Sequence, residues 1–454
     1  MKKIYSLLFT IFVLCSISAR NTIYVSPNGG YDGTKYNRPC TFSQMVDSLY
    51  NSPNLVGEIF VYFSEGDYYD VEIKLWNMPQ RITNVHLQGG YKFARSMPPY
   101  ARDFVSHETI FHAKNSDKWS IPVWMECLST MDTTKISSVD GITFTSDSVM
   151  HNDALRLVGG NYVVTHCKFT NYKTTGRLMM LETYAVEHVF IINTLIENNV
   201  CGTMFGMFTN FHMINTTIAD NTFLYFGMGL NHTSSICNSI IWNNSDLYLE
   251  PYSGGTIDIS YSFVQSQELW MNNNYTNQWN VDPQFTYDND YPYTCDAISN
   301  VFQYGDDSVF SQYSWAFQYY ETDYDVAGND RFYGSMYGSF YDIDAGAYQH
   351  YYAGGGSNYN IISYPDRTKR EIKKSATDHT NNIQLWSHYN VVNIEMEEEK
   401  KLSLVLYSTS GQSVYSTTVS ERYNSIILDL QRGDYIAILK SEDDRIIKRK
   451  LIRL

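Results

Sequence analysis

Along residues 141–267 the apolar positions recur in short alternating runs, with no helical period. GITFTSD at 141–147, HCKFTN at 166–171, NTLIENN at 193–199, NTTIADN at 215–221, NSIIWNN at 238–244 and YSFVQSQ at 261–267 align on one pattern. Their apolar anchors are Phe144, Phe169, Ile196, Ile218, Ile241 and Val264, separated by 25, 27, 22, 23 and 23 residues. A β-rich repeat of that length is one coil of a β-solenoid, since a single coil cannot bury its apolar side and neighbouring coils must supply the core. Strand alternation puts Ile142, Cys167, Thr194, Thr216, Ser239 and Ser262, two before each anchor, on the same inward face. Asn171, Asn198, Asn199, Asn221, Asn243 and Asn244 follow the anchors, where the strand must turn. Asparagine tolerates positive φ there, and stacked amides can bond along the axis.

Upstream, the pattern predicts strands at Thr22–Val25, Glu58–Phe63, Thr83–Leu87 and Glu108–His112. Thr41-Phe42-Ser43-Gln44 reads as a capping box, followed by Phe42, Met45, Val46 and Leu49 at helical spacing. A short amphipathic helix there would cover the open end of the first coil. Downstream, residues 383–454 return to short alternating strands with turns at Ser410-Gly411 and Arg432-Gly433, which predicts a small β-sandwich. Between lies 353–382, with Gly354-Gly355-Gly356 and the basic cluster Arg367, Lys369, Arg370, Lys373 and Lys374, and no apolar period. It reads as a flexible, protease-accessible linker.

Residues 1–19 read as a signal peptide: Lys2 and Lys3, an apolar run Ile4–Leu14, then Ser16, Ser18 and Ala19, with cleavage after Ala19. Bulky Leu14 argues against a lipid anchor at Cys15, and no later run is long enough for a membrane helix. Six cysteines remain in the exported chain: Cys40, Cys127, Cys167, Cys201, Cys237 and Cys295. Their spacing matches no zinc pattern and leaves disulfide pairing open, while the register points Cys167 and Cys237 inward as core thiols. The 454-residue chain carries a net charge of −15, which argues against a nucleic-acid partner.

These features resemble those of secreted pectate-lyase-like proteins of the Bacteroidetes type, built on a right-handed parallel β-helix. The resemblance rests on TIYVSPNGGYDGT at 22–34, SEGDYY at 64–69 and LQGGY at 87–91. VDPQF at 281–285, CDA at 295–297, DVAGNDR at 325–331 and DIDAGAYQ at 342–349 resemble the choice-of-anchor Q region that often ends such helices, here about 281–349 of a solenoid spanning 20–352. LVLYSTSGQSVYS at 404–416 and the stretch 427–454 resemble the sorting domain of type IX secretion, in a domain at 383–454. The resemblance implies passage through the periplasm by Sec, recognition by the type IX machinery, and a mature protein that is secreted or held on the outer-membrane surface.

The same superfamily contains polysaccharide lyases and hydrolases, so the outward rows matter. They run Thr143, Lys168, Leu195, Thr217, Ile240, Phe263; then Thr145, Thr170, Glu197, Ala219, Trp242, Gln265; and Gly141, His166, Asn193, Asn215, Asn238, Tyr261. Only His166, Lys168 and Glu197 are ionisable, which is too few for a calcium cage or a carboxylate pair. They remain the candidate catalytic residues. Trp242, Tyr261 and Phe263 form a candidate sugar-stacking platform, unless the terminal region covers them. No metal or cofactor motif stands out; calcium enters only under the lyase reading. The sequence therefore favours a non-catalytic glycan- or host-binding, adhesin-like protein. A polysaccharide lyase or glycosidase is the alternative, and a structural envelope component the third reading. Three or more convergent acidic or basic side chains on one solenoid face would revive the enzyme reading at once.

Overall fold

A computed structural model describes residues 20–349 and 383–453, apart from short internal segments of which 246–255 and 266–276 are the longest. Residues 1–19, read as a signal peptide, residues 353–382, read as a linker, and Cys127 lie outside the described residues. The chain divides into two compact units, 1–365 and 366–454.

The first unit is a parallel β-helix of three sheets. Its first sheet stacks Arg20–Val25, Leu55–Ser64, Ile82–Tyr91, Ile136–Asp140, Asn161–Thr165, His188–Ile192, Asn210–Ile214, Thr233–Cys237 and Thr256–Ser260. The second stacks Gly66–Val71, Thr109–Ala113, Ile142–Thr145, Lys168–Thr170, Leu195–Glu197, Thr217–Ala219, Ile240–Trp242, Phe263–Val264 and Gln278–Trp279. The third stacks Ile73–Leu75, Val123–Glu126, Leu155–Val158, Arg177–Glu182, Val200–Phe208 and Thr222–Tyr225. Each coil visits the sheets in that order, so every strand pairs with the strand one coil earlier.

The anchors pair in register from Phe111 and Phe144 through Phe169, Ile196, Ile218 and Ile241 to Val264. All are fully buried. Phe144 and Phe169 stack face to face, centroids 4.6 Å apart. The helix Phe42–Asn51 starts at a capping box on Thr41 and buries Met45 and Leu49 in the same core, while Phe42 and Val46 pack partly against it.

Two corners hold each coil. At the exit from the second sheet, Asn171, Asn198, Asp220 and Asn243 take left-handed φ of 52–56°. The next residues turn inward as an amide ladder. Asn199 Nδ2 donates to Asn221 Oδ1, and Asn221 Nδ2 to Asn244 Oδ1, both at 2.9 Å. Each Oδ1 also accepts the backbone N–H one coil back, from Asn199 and Asn221 in turn, at 3.0 Å. At the other corner, between first and second sheets, His166, Asn193, Asn215, Asn238 and Tyr261 share φ of 48–52°. Gly141 occupies this row with φ 65°, and a Cβ there would sit 2.4 Å from the Arg102 guanidinium.

Residues 281–349 do not add coils; they run back over the outer faces as a strap. Asn193 donates to Tyr324 O, Asn215 to Asp344 O and Asn238 to Asp306 O, at 2.7–2.9 Å. Ile240 and Phe263 pack under Val301, Ala345 and Cys295; Leu195 and Ala219 pack under Val326, Ala347 and Tyr293. The short helix Ser308–Gln312 and its surroundings bring Val309, Ala316 and Tyr313 over Phe190, Ile192, Ile214 and Cys237. The two motifs of the strap hold each other. Asp325 accepts from the N–H groups of Ala327 and Gln349, and buried Arg331 donates to Gly346 O and Ala347 O.

The thiol placement corrects one expectation. Cys167 lies in the interior core, but Cys237 is buried on the outer face beneath the strap. Among the described residues Cys40, Cys167, Cys201, Cys237 and Cys295 are buried thiols outside any disulfide. Burial pushes the thiols of Cys167, Cys201 and Cys237 up to about 12.

In the second unit, a three-stranded antiparallel sheet (Ile383–His388, Val391–Met396, Tyr423–Ile427) accompanies a four-stranded one (Ser413–Val419, Leu402–Ser408, Asp434–Lys440, Ile446–Arg453). Alternating residues such as Val392, Ile394, Leu404, Leu406, Ala437 and Leu439 form one shared core, which makes a small β-sandwich.

Ile218→Asp is expected to cost several kcal/mol, because it places an unpaired charge in the solenoid interior. Asn221→Ala should cost about 3 kcal/mol, since buried donors and carbonyls lose their partners. Thermal melting of the full chain checks both, and a parental melting temperature in either variant would contradict the register.

The strap also carries a pH dependence. His212 lies under Tyr313, ring centroids 4.7 Å apart, with His188 Nδ1 2.9 Å from its Nε2 and Ser235 Oγ 2.8 Å from its Nδ1. The nearest carboxylate along this row is Asp258, paired with Ser235 on the next coil. Burial, reinforced by His188, pushes His212 down to about 3. The folded imidazole therefore stays neutral while the unfolded one protonates below about 6.5, so stability is full above that value and falls as pH drops towards 3. Unfolding free energy should be about 2 kcal/mol lower at pH 5 than at pH 7. His212→Gln should flatten that slope in melting curves taken across the range.

Candidate functional site

The strap decides which faces remain accessible. On the second sheet it covers the later coils and ends near Glu197, whose neighbour Tyr293 belongs to it. The earlier coils present two outward rows. One runs Asp67, Ile110, Thr143, Lys168; the other runs through His112, Thr145 and Thr170 to Glu197, with Tyr69 beside His112. Five coils at 4.8 Å spacing make this face about 19 Å long.

Its charged groups converge from distant parts of the chain. Lys168 Nζ lies 3.2 Å from Glu108 Oε1, which also accepts from Thr143 Oγ1 at 2.7 Å. His112 sits between two carboxylates, with Nε2 2.8 Å from Asp67 and Nδ1 3.7 Å from Asp147. The ring of Tyr69, 66% exposed, stacks on His112 at 4.4 Å. At the strap end, Asn198 Nδ2 donates to Glu197 Oε2 and to the Tyr293 hydroxyl, both at 3.1 Å. Tyr293 in turn donates to Asp220 Oδ2 at 2.9 Å. Burial pushes the Glu197 carboxyl upward, against the opposing pull of Thr170, Tyr293, Lys168 and Asn198. Burial beside Glu197 and Asp220 pushes the Tyr293 hydroxyl strongly upward too.

Of the three ionisable candidates, Lys168 and Glu197 lie on this face and His166 does not. His166 is 2% exposed, its Nε2 donates to Tyr324 O at 2.9 Å, and its Nδ1 lies 3.0 Å from Asp140. It is a corner residue bound beneath the strap and cannot reach a substrate. Asp140 also takes Arg102 Nη1 at 2.7 Å. Burial raises the Asp140 carboxyl, but Arg102 and His166 outweigh burial and hold it below its ordinary value.

The three aromatic residues of the candidate platform pack against the strap. Phe263 is fully buried with Tyr304 edge-on at 5.0 Å, Trp242 packs partly into the same cluster, and Tyr261 packs with Val309 and Tyr313. Phe263 is thus fully covered, and Trp242 and Tyr261 half-covered. Sequence reasoning missed Asp67, Tyr69, Glu108, His112, Asp147 and Tyr293. The SEGDYY motif and the strand at Glu108–His112 carried four of them, but nothing in the sequence placed those coils beside Lys168.

Beside the third sheet, buried Asp153 holds Arg156 at 2.6 Å and Arg177 at 3.1 Å. Among the described residues no group of three His, Cys, Asp or Glu side chains could hold a metal ion, and no helix is long and apolar enough to cross a membrane. Neither the comparison with protein-family models nor that with curated proteins finds a match to the chain.

Proposed function

We propose that this protein is exported and binds an uncharged polysaccharide along the open face of its second sheet, without cleaving it. One observation carries the reading: each charged side chain on that face is already matched inside it. Lys168 meets Glu108, His112 lies between Asp67 and Asp147, and Glu197 is held by Asn198 and the strap. Such a face offers fixed hydrogen-bonding groups and the exposed Tyr69 ring, a combination suited to hydroxyl-rich, flat-faced sugars. Four carboxylates (Asp67, Glu108, Asp147, Glu197) against Lys168 and His112 disfavour uronate polymers and with them lyase chemistry.

The full chain should therefore retard on affinity gels cast with an uncharged polysaccharide such as xylan, galactan or mannan, and not with polygalacturonate or alginate. Tyr69→Ala should weaken that binding about tenfold with an unchanged melting temperature. A glycosidase is the second reading, revived by the convergence of Asp67, Glu108, His112, Asp147, Lys168 and Glu197 on one face: the raised Glu197 carboxyl could act as an acid, with Asp220 across the Tyr293 hydroxyl. Release of new reducing ends, abolished by Glu197→Gln, would replace the first reading by the second.

The export part rests on residues 1–19 and on the resemblance of 383–454 to a type IX sorting domain, with 281–349 read as a choice-of-anchor Q region. On this reading the C-terminal sandwich is removed by cleavage within 353–382, near Arg367–Lys374, and the solenoid stays on the surface or is released. Removing Ser403–Leu454 should strand the solenoid in the periplasm of a type IX-competent host. Mature surface protein that still carries Leu454, detected by mass spectrometry, would contradict this.

A further inference from the structure

The first coil holds a concavity apart from the second-sheet face. It is a cleft of about 420 Å³ lined by Ser26, Asn28, Tyr36, Asn37, Glu65 and Phe93, among others. That volume falls within the range of about 300–1,000 Å³ usual for small-ligand sites.

Its walls are built and held. Ser26 follows the first strand, and Gly29 N–H closes the turn on Ser26 O at 3.0 Å. A Cβ at Gly29 would come 2.1 Å from Cys40 O, so this turn requires glycine. The loop bearing Tyr36 and Asn37 is pinned by Gly33 N–H to Arg38 O and Cys40 N–H to Tyr24 O, both at 2.9 Å. Glu65 sits at the corner after Leu55–Ser64, its N–H on Tyr91 O at 2.7 Å, and its Oε2 is taken by His107 Nδ1 at 2.7 Å. Phe93 closes one side, edge-on to Tyr24 at 5.7 Å.

Part of the cleft's hydrogen-bonding capacity is spent, Ser64 Oγ on Glu65 O and the Tyr68 hydroxyl, and Glu65 Oε2 on His107, and part is open. Among the described residues, the side chains of Ser26, Asn28, Tyr36 and Asn37 make no hydrogen bond, and Glu65 Oε1 is not engaged by His107. Two amides, two hydroxyls and a carboxylate oxygen thus surround a space with an aromatic wall. Hydroxyls can donate to Glu65 and the amide oxygens and accept from the amide N–H groups, while an apolar ring face lies against Phe93. The lining holds no Lys, Arg or His, and its one carboxylate, Glu65, is already held by His107, so the cleft offers no cation to a carboxylated or sulfated sugar.

We infer that this cleft binds a single neutral pyranose ring, the terminal residue of the glycan. Glu65 immediately precedes Gly66–Val71, whose Asp67 and Tyr69 begin the second-sheet face, so a chain end in the cleft can continue onto that face. This extension onto the face rests on the reading proposed above; ring binding in the cleft does not.

The test titrates the full chain with methyl glucoside, methyl galactoside, methyl mannoside and N-acetylglucosamine, and separately with glucuronate, by saturation-transfer NMR and calorimetry. At least one neutral ring should bind at millimolar concentration, and glucuronate should not. The exposed pair Asn28→Ala/Asn37→Ala should weaken ring binding about tenfold or more, and Phe93→Ala should do the same, with melting unchanged for the asparagine pair. Tyr69→Ala should leave ring binding intact while polymer binding falls. Failure of every neutral ring to bind, binding that survives both cleft variants, or equal binding of glucuronate would overturn the inference. Polymer binding that persists alongside such a failure would leave the second-sheet reading standing.

Discussion

Parallel stacking lets a coil bond to its neighbours only if every coil turns at the same place in the same backbone conformation. A corner that drifts by one residue would swap the inward and outward rows of the next strand. The chain meets this constraint by holding two left-handed positions per coil, at Asn171, Asn198, Asp220 and Asn243 on one side and at His166, Asn193, Asn215 and Asn238 on the other. Left-handed backbone costs an ordinary residue about 1 kcal/mol or more, and short polar side chains lower that cost by bonding locally. At the first corner the following asparagines turn inward, and their amides satisfy backbone groups that water cannot reach. The anchor stack of aromatic and branched side chains is in register because these corners are.

The second corner serves a different end. Its side chains point out of the solenoid and receive the strap: His166 and Asn193 bind Tyr324 O, Asn215 binds Asp344 O and Asn238 binds Asp306 O. Leu195, Ile240 and Phe263 on the outer face would otherwise expose an apolar patch in water. The solenoid and strap therefore depend on each other, one supplying the amides and apolar surface, the other the carbonyls and cover. Where the strap ends, at Tyr293 beside Glu197, the outer rows change from apolar to charged and hydroxylic. The position of the open face follows from the length of the strap.

Much of this was legible in the sequence, for reasons that also explain what was not. Anchor spacing revealed the second sheet because one bulky residue per coil marks it. The Thr41 capping box revealed the first helix. The third sheet stayed hidden, since strands such as Ile73–Leu75 and Leu155–Val158 follow turns of uneven length and carry no shared anchor. His166 does point outward as its row required, but the strap that covers it comes from 158 residues away and carries no signal in the repeat. Cys237 was put on the wrong face because strand alternation was continued through Asn238, with φ 52°, where alternation fails. The charged face was invisible for another reason: Lys168 and Glu108 are 60 residues apart, and only the stacked coils bring them within 3.2 Å.

A face of pre-matched charges has consequences for chemistry. A general base or nucleophile must be able to exchange its proton or partner during reaction, whereas Lys168 and Glu108 hold each other and His112 is held by Asp67 and Asp147. Matching of this kind lowers the cost of ordering side chains when a ligand arrives, which favours binding. Glu197 is the exception, since burial disfavours its charged form and its strap partner Tyr293 also touches Asp220. At this junction of coil and strap a hydroxyl between two carboxylates, Tyr293 between Glu197 and Asp220, gives a route for a proton to change owner.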